Sequence, residues 1–183
     1  MHGVVFSLLK SYVTEKHNAE TWRTLLREAG REDTIYVPTR MYPDEEIVAL
    51  VGTACRMTSA TPEAVLEDFG IFIAPHLKGM YASLVDPQWH TMELLLNVED
   101  TIHRVVRLKN PDARPPQLRF TRLDDSTLRF EYNSQRRMAA LAVGIMKGIA
   151  KGYGEVADIQ VDMHPDGSCE MLVRISKAHQ GVA

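Results

Sequence analysis

The period of the apolar residues changes once along this 183-residue chain, and that change limits what it can fold into. Up to about residue 109 the apolar side chains recur every three or four positions, the spacing of one helix face. From Leu118 onward they alternate with polar residues in two pairs of segments, the spacing of strands with one covered face. A chain that is helical first and strand-rich later predicts an α+β protein, with a helical lobe and a lobe carrying an antiparallel sheet.

Punctuation residues place the elements. Val4, Val5, Leu8, Leu9 and then Tyr12 or Val13 predict a first helix. Asn18 is an N-cap for a second, which holds Trp22, Leu25 and Leu26 and stops at Gly30. After a loop from Ile35 to Pro43, Asp44 is read as an N-cap before Ile47, Val48 and Val51. Thr61-Pro62-Glu63 supplies a cap, a proline at the first helical position and an early acid, which predicts a helix through Val65, Leu66, Phe69 and Phe72. Asp86-Pro87 repeats that signal and predicts one long helix from about Pro87 to Lys109, ended by Asn110-Pro111, with Pro115-Pro116 holding the next stretch extended. Leu118–Leu123 and Thr127–Tyr132 flank Asp124-Asp125-Ser126 as a hairpin, and a helix follows from about Arg136 to Ala150. Ile159, Val161 and Met163, the turn His164-Pro165-Asp166-Gly167, and Cys169, Met171, Val173 and Ile175 make a second hairpin.

The length suits a single domain, 1–183, that can bury a sizeable core. A hydrophobic content of 45% and a charged content of 25% are those of an ordinary soluble protein. The longest apolar run, Met138–Met146, is too short to cross a bilayer, so no membrane association is expected. No secretory leader is read at the start, and the two cysteines, Cys55 and Cys169, form no C-x-x-C motif; free thiols in a cytoplasmic protein are expected. Charge is uneven. Residues 1–100 hold 8 basic and 15 acidic side chains, whereas 101–137 hold 9 and 4. The basic block is short and has no helix-turn-helix or zinc-finger pattern, so a nucleic-acid partner is not expected.

Two features in and beside that block bear on chemistry. Tyr132, Ser134 and Arg136 alternate, so in an extended segment two hydroxyls and a guanidinium leave one face and form a cradle for carboxylates. Any half-exposed strand end could carry the pattern. Upstream, His103 falls on the long helix among Leu95, Leu96, Ile102 and Val106. A neutral imidazole there can ligate iron, although a surface or core histidine is the alternative for any one of the seven in the chain.

Taken together, these residues resemble a known family. Met1-His2-Gly3-Val4-Val5-Phe6 is similar to the Met-x-Gly opening of the haem-nitric oxide/oxygen binding (H-NOX) domains, relatives of the haem domain of soluble guanylate cyclase. Asp100-Thr101-Ile102-His103 resembles the proximal-histidine helix of that family, Pro115-Pro116 stands where it has a proline against the haem, and Tyr132-x-Ser134-x-Arg136 is similar to its propionate-binding signature. The resemblance spans about residues 1–178. It implies the H-NOX fold: a helical distal lobe over about 1–85, a proximal lobe over about 86–178 with a four-stranded antiparallel sheet, and haem b (iron protoporphyrin IX) buried between them. It also implies His103 as the iron ligand, Tyr132, Ser134 and Arg136 as the propionate clamp, and Pro116 as a residue pressing on the porphyrin. Burying two carboxylates without partners is prohibitive, and this clamp makes it tolerable.

The resemblance also bears on the gas. Oxygen-binding members place a tyrosine on the helix after the clamp and support it with a tryptophan on the first helix; the matching positions here are Leu141 and Leu9. With Val5, these predict an apolar ligand pocket that binds NO and CO and excludes O2, which gains most from a hydrogen-bond donor. The expected protein is a bacterial NO sensor and not an enzyme. It would signal through release of the iron–His103 bond to a separate histidine kinase or cyclic-di-GMP enzyme. No zinc is expected, since His164 and Cys169 cannot close a tetrahedral site. An O2-binding haem protein, a peroxidase-type haem enzyme and a haem-free ligand-binding scaffold are the alternatives.

Overall fold

The computed structural model describes residues 1–109, 115–134 and 136–178. Four helices come first: α1 (Gly3–Lys16), α2 (Ala19–Glu28), α3 (Asp44–Thr58) and α4 (Pro62–Met80). The caps read from the sequence act at two of them. The Asn18 side chain accepts from the Thr21 amide at 2.9 Å, and the Thr61 hydroxyl from the Ala64 amide at 3.2 Å with Pro62 behind it. Asp44 does not cap α3. Pro43 holds that position, and the Asp44 carboxylate turns instead to the Met1 ammonium and Arg136.

The long helix expected from Pro87 to Lys109 is broken into pieces. The Asp86 carboxylate accepts from the Gln88 amide at 2.8 Å, an Asx turn that closes before a helix can start. The helix α5 (Thr91–Asn97) begins under a capping box between His90 and Glu93. A π-helical turn, Glu99–His103, follows and runs into α6 (Arg104–Lys109). A 3-10 turn at Ala82–Leu84 had no sequence signal. The expected stop at Asn110-Pro111 lies outside the described residues.

The second half then builds its sheet. β1 (Gln117–Arg122) and β2 (Thr127–Asn133) form one hairpin; β3 (Glu155–Met163) and β4 (Cys169–Lys177) form the other. β2 pairs with β4, which makes one antiparallel sheet in the order β1-β2-β4-β3. Between the hairpins, α7 (Ala139–Gly152) begins three residues later than the pattern suggested.

Two apolar cores result. Phe6, Leu9, Trp22, Leu50, Phe69 and Ile73 belong to one, built from α1–α4. Leu95, Leu128, Phe130, Val143, Met146 and Met171 belong to the other, under the sheet. The helices α4 and α7 run closely together between them. Gly70 and Gly144 sit at that crossing. A Cβ on Gly144 would collide with the Glu67 carbonyl, and one on Gly70 would lie 2.5 Å from the Leu141 carbonyl. None of the helices among the described residues is long and apolar enough to cross a membrane.

Candidate functional site

A cavity of about 310 Å³ lies between the two cores, within the range of small-molecule sites. Its walls are overwhelmingly apolar. α1 and α4 contribute Val4, Val5, Ile73 and Leu77; α7 contributes Leu141, Ala142 and Ile145; the sheet contributes Leu118, Phe120 and Phe130. His103, Pro115 and Pro116 border the same cavity, as do Tyr132, Ser134 and Arg136. Residues nominated from separate stretches of sequence therefore meet around one chamber. Leu9 is the exception: it is packed in the helical core and does not line the cavity. His2, Lys78 and Tyr81 also border it and were not singled out from the sequence. Lys78 is occupied, with its ammonium over the Tyr153 ring at 3.4 Å from the centroid.

The carboxylate cradle is reached by a route other than a straight strand. Tyr132 faces the core from β2, which ends at Asn133. The chain then turns: the Arg137 amide donates to the Ser134 carbonyl at 3.2 Å, and the Arg136 amide to the Ser134 hydroxyl at 3.3 Å. That turn, with Arg137 at a φ of 53°, brings Arg136 back toward Tyr132 and Ser134. Burial pushes the Tyr132 phenol up, so it stays a neutral hydrogen-bonding group at any ordinary pH. Arg136 is anchored from the helical half, its Nε 2.8 Å from Asp44, and the Met1 ammonium donates to the other oxygen of that carboxylate at 2.5 Å. Burial works against the charge on Asp44, yet these two cations hold its carboxyl below the usual range. Sequence spacing gave no sign of Asp44 as an anchor, because 92 residues separate it from Arg136.

His103 ends the π-helical turn, its amide bonded to the Val98 carbonyl at 3.0 Å, the i to i+5 pattern of a π-helix. Its Nδ1 lies 2.9 Å from Oε2 of Glu99, whose other oxygen pairs with Arg107. Burial lowers the His103 pKa, against the raising effects of Glu99 and of the Pro116 carbonyl, so the ring is neutral near pH 7. A neutral imidazole is the form that binds a metal.

The donor set fits a haem. An apolar chamber suits the porphyrin plane, two hydroxyls and a guanidinium suit its carboxylates, and a neutral imidazole suits its iron. At the other candidate metal site, Cys169 is buried, its thiol pushed up by burial, opposite Met163 in the hairpin register. Among the described residues no three His, Cys, Asp or Glu side chains gather as a metal site. The basic block is spent largely on acids nearby: Arg119 on Glu131, Arg122 on Asp125 and Arg129 on Glu170.

The Haem-NO-binding family model matches residues 2–161 of the chain. Comparison with curated proteins finds no match. Solved structures with the same fold include an H-NOX protein from S. oneidensis in the Fe(II) ligation state, a triple mutant, at 21% identity over 100% of both chains with a TM-score of 0.89. The Fe(II)NO state of an H-NOX protein from the same organism is similar over 97% of this chain and 100% of that one, at 21% identity and a TM-score of 0.86. A Shewanella oneidensis H-NOX domain in the Fe(II)CO state matches over 96% and 99%, at 22% identity and a TM-score of 0.85.

Proposed function

This chain belongs to the Haem-NO-binding family, and we propose that it is a haem-based gas sensor which binds NO and CO at a ferrous, five-coordinate b-type haem and discriminates against O2. The observation that carries this reading is the convergence of His103 and the Tyr132, Ser134 and Arg136 set on one apolar cavity. His103 would hold the iron, and the three others the two propionates, with Pro116 against the porphyrin. When bound, ferrous haem would supply an iron centre that takes up a diatomic gas, and His103 would be the protein's bond to that iron.

The chain's own residues supply the rest. Val5 and Leu141 line the cavity without a donor, and both pack against the helical core to which Leu9 belongs. A gas bound beside those two residues would find no donor on either, which costs O2 most. His103 sits at the end of a π-helical turn, between two short helices. That segment is the element expected to move when the ring is no longer held by the metal. The signal would pass in trans, to a histidine kinase or a cyclic-di-GMP enzyme in the bacterial cytoplasm. The chain would then be one domain, with a distal lobe over about 1–85 and a proximal lobe over about 86–178.

One absorption series tests the reading: the ferrous protein alone, in air, with CO and with NO, then the same with His103→Gly. The expected results are a five-coordinate ferrous spectrum, no stable complex in air, and adducts with both other gases. A stable oxygen complex would overturn the discrimination. His2 borders the cavity, and its Nδ1 is taken by the Val4 amide at 3.4 Å, which leaves it a poor acid–base group for peroxidase chemistry. Peroxide turnover no faster than that of free haem is expected, in keeping with a sensor.

A further inference from the structure

We propose that Glu99 is a positioning residue for His103, one that fixes which ring nitrogen faces the metal and strengthens the bond made there. The proposal rests on the reading of His103 as the haem ligand. Glu99 opens the π-helical turn and His103 closes it, and the turn brings the carboxylate Oε2 to 2.9 Å from Nδ1. A carboxylate only accepts, so Nδ1 carries the proton and Nε2 keeps its lone pair for the iron. The second oxygen, Oε1, is taken by the Arg107 guanidinium, one helical turn beyond His103. The two oxygens are thus divided between two partners, and the carboxylate cannot rotate without losing one of them. The His103 side chain is only 16% exposed and that of Glu99 28%, so water screens the pair weakly.

The chemical consequence follows from charge. A carboxylate that accepts from Nδ1–H raises the electron density of the ring and its basicity at Nε2. His103 then binds iron more tightly than an imidazole facing a neutral acceptor. In a sensor whose switch is loss of that bond, Glu99 biases the balance toward the attached state and sets how much NO it takes to release it. The Pro116 carbonyl also reaches the ring but carries no charge, whereas the charge of Glu99 can be neutralised by a substitution without moving the backbone.

The experiment is resonance Raman spectroscopy of the ferrous protein in three forms: the natural chain, Glu99→Gln and Glu99→Leu, with circular dichroism to show that all are folded. The iron–histidine stretching frequency should fall from natural chain to Gln to Leu. The five-coordinate share of the NO adduct should rise in the same order. Haem loss to an acceptor apoprotein should be about tenfold faster in the Leu variant. If Glu99 served only to stabilise the helix, Gln would match the natural chain in frequency and Leu would alter folding alone; a frequency unmoved in both variants overturns the proposal. The parent reading fails differently: no iron–histidine band in the natural chain, and a ferrous spectrum unchanged by His103→Gly, would remove His103 as the ligand and this proposal with it.

Discussion

Asp44 shows how a single side chain ties parts of the chain that are far apart in sequence. It joins the first residue to Arg136, and so connects the start of α1 and the start of α3 to the carboxylate cradle. Its folded pKa is depressed, so its contribution to stability is complete above the unfolded value and fades as pH falls through the folded one. Acid unfolding of the natural chain should therefore steepen below about pH 4, and Asp44→Asn should flatten that limb while lowering the melting temperature at pH 7. A melting curve taken at several pH values checks both. Arg136→Leu acts at the other end of the same pair. It removes the one formal charge of the cradle and leaves Asp44 with a single cation. A hydrogen bond to a charged group contributes about 1.5–3 kcal/mol, so haem loss should quicken by roughly 10- to 100-fold, as read by transfer to an acceptor apoprotein.

At the scale of elements, α4 and α7 form the wall between the two cores, and their contact depends on hydrogen atoms where other residues carry a methyl group. Gly144→Ala should cost about 1–3 kcal/mol in stability, because the new Cβ meets the backbone carbonyl of Glu67 and backbone yields little. Denaturant unfolding measures it. The same reasoning explains the third residue of the chain, where a Cβ on Gly3 would strike the Val37 carbonyl. How much of this was legible in the sequence depends on whether the cause was local. Asn18 and Thr61 cap as read, since a cap is an interaction over three residues. The inner strands β2 and β4 follow the alternation, since a buried face repeats every second residue, but on β3 it fails toward the end, where Val161 and Met163 are exposed. The segment from Pro87 to Lys109 carries a helical period through the π-helical turn, and an i to i+5 bond leaves no mark on composition, so the sequence shows no break there. Tyr132, Ser134 and Arg136 border one cavity, but a turn after Asn133, and not the continuous strand their alternation suggests, returns Arg136 to the others. Asp44, as the partner of Arg136, had no local signature at all.

At the scale of the molecule, the cavity is the place where two otherwise separate cores share a boundary. α1 and α4 line it from one side of the sequence, the π-helical turn and the sheet from the other, with α7 between. Whatever fills it contacts both cores at once and is excluded from the unfolded chain. Binding to the folded state alone adds about 2.7 kcal/mol when the free ligand stands at 100 times its dissociation constant. Haem-loaded protein should accordingly melt well above the haem-free form, in one transition, whereas the haem-free form should melt over a broader range as the cores lose their shared filling. Differential scanning calorimetry on the two forms checks this.

Gas selectivity belongs to the whole chamber, whose wall is shared among several elements. Leu141 comes from α7 and Val5 from α1, and neither brings a donor. Leu141→Tyr would introduce one from the helix that borders both cores. If the missing donor is what excludes O2, that single hydroxyl should contribute about 1.5–3 kcal/mol to a partly negative ligand, which is roughly a 10- to 100-fold gain in O2 affinity with little change for CO. Oxygen and CO titrations of the ferrous variant separate the cases. Equal gains for both gases would mean the tyrosine had merely reshaped the wall, and no gain for O2 would mean that something other than the absent donor keeps it out.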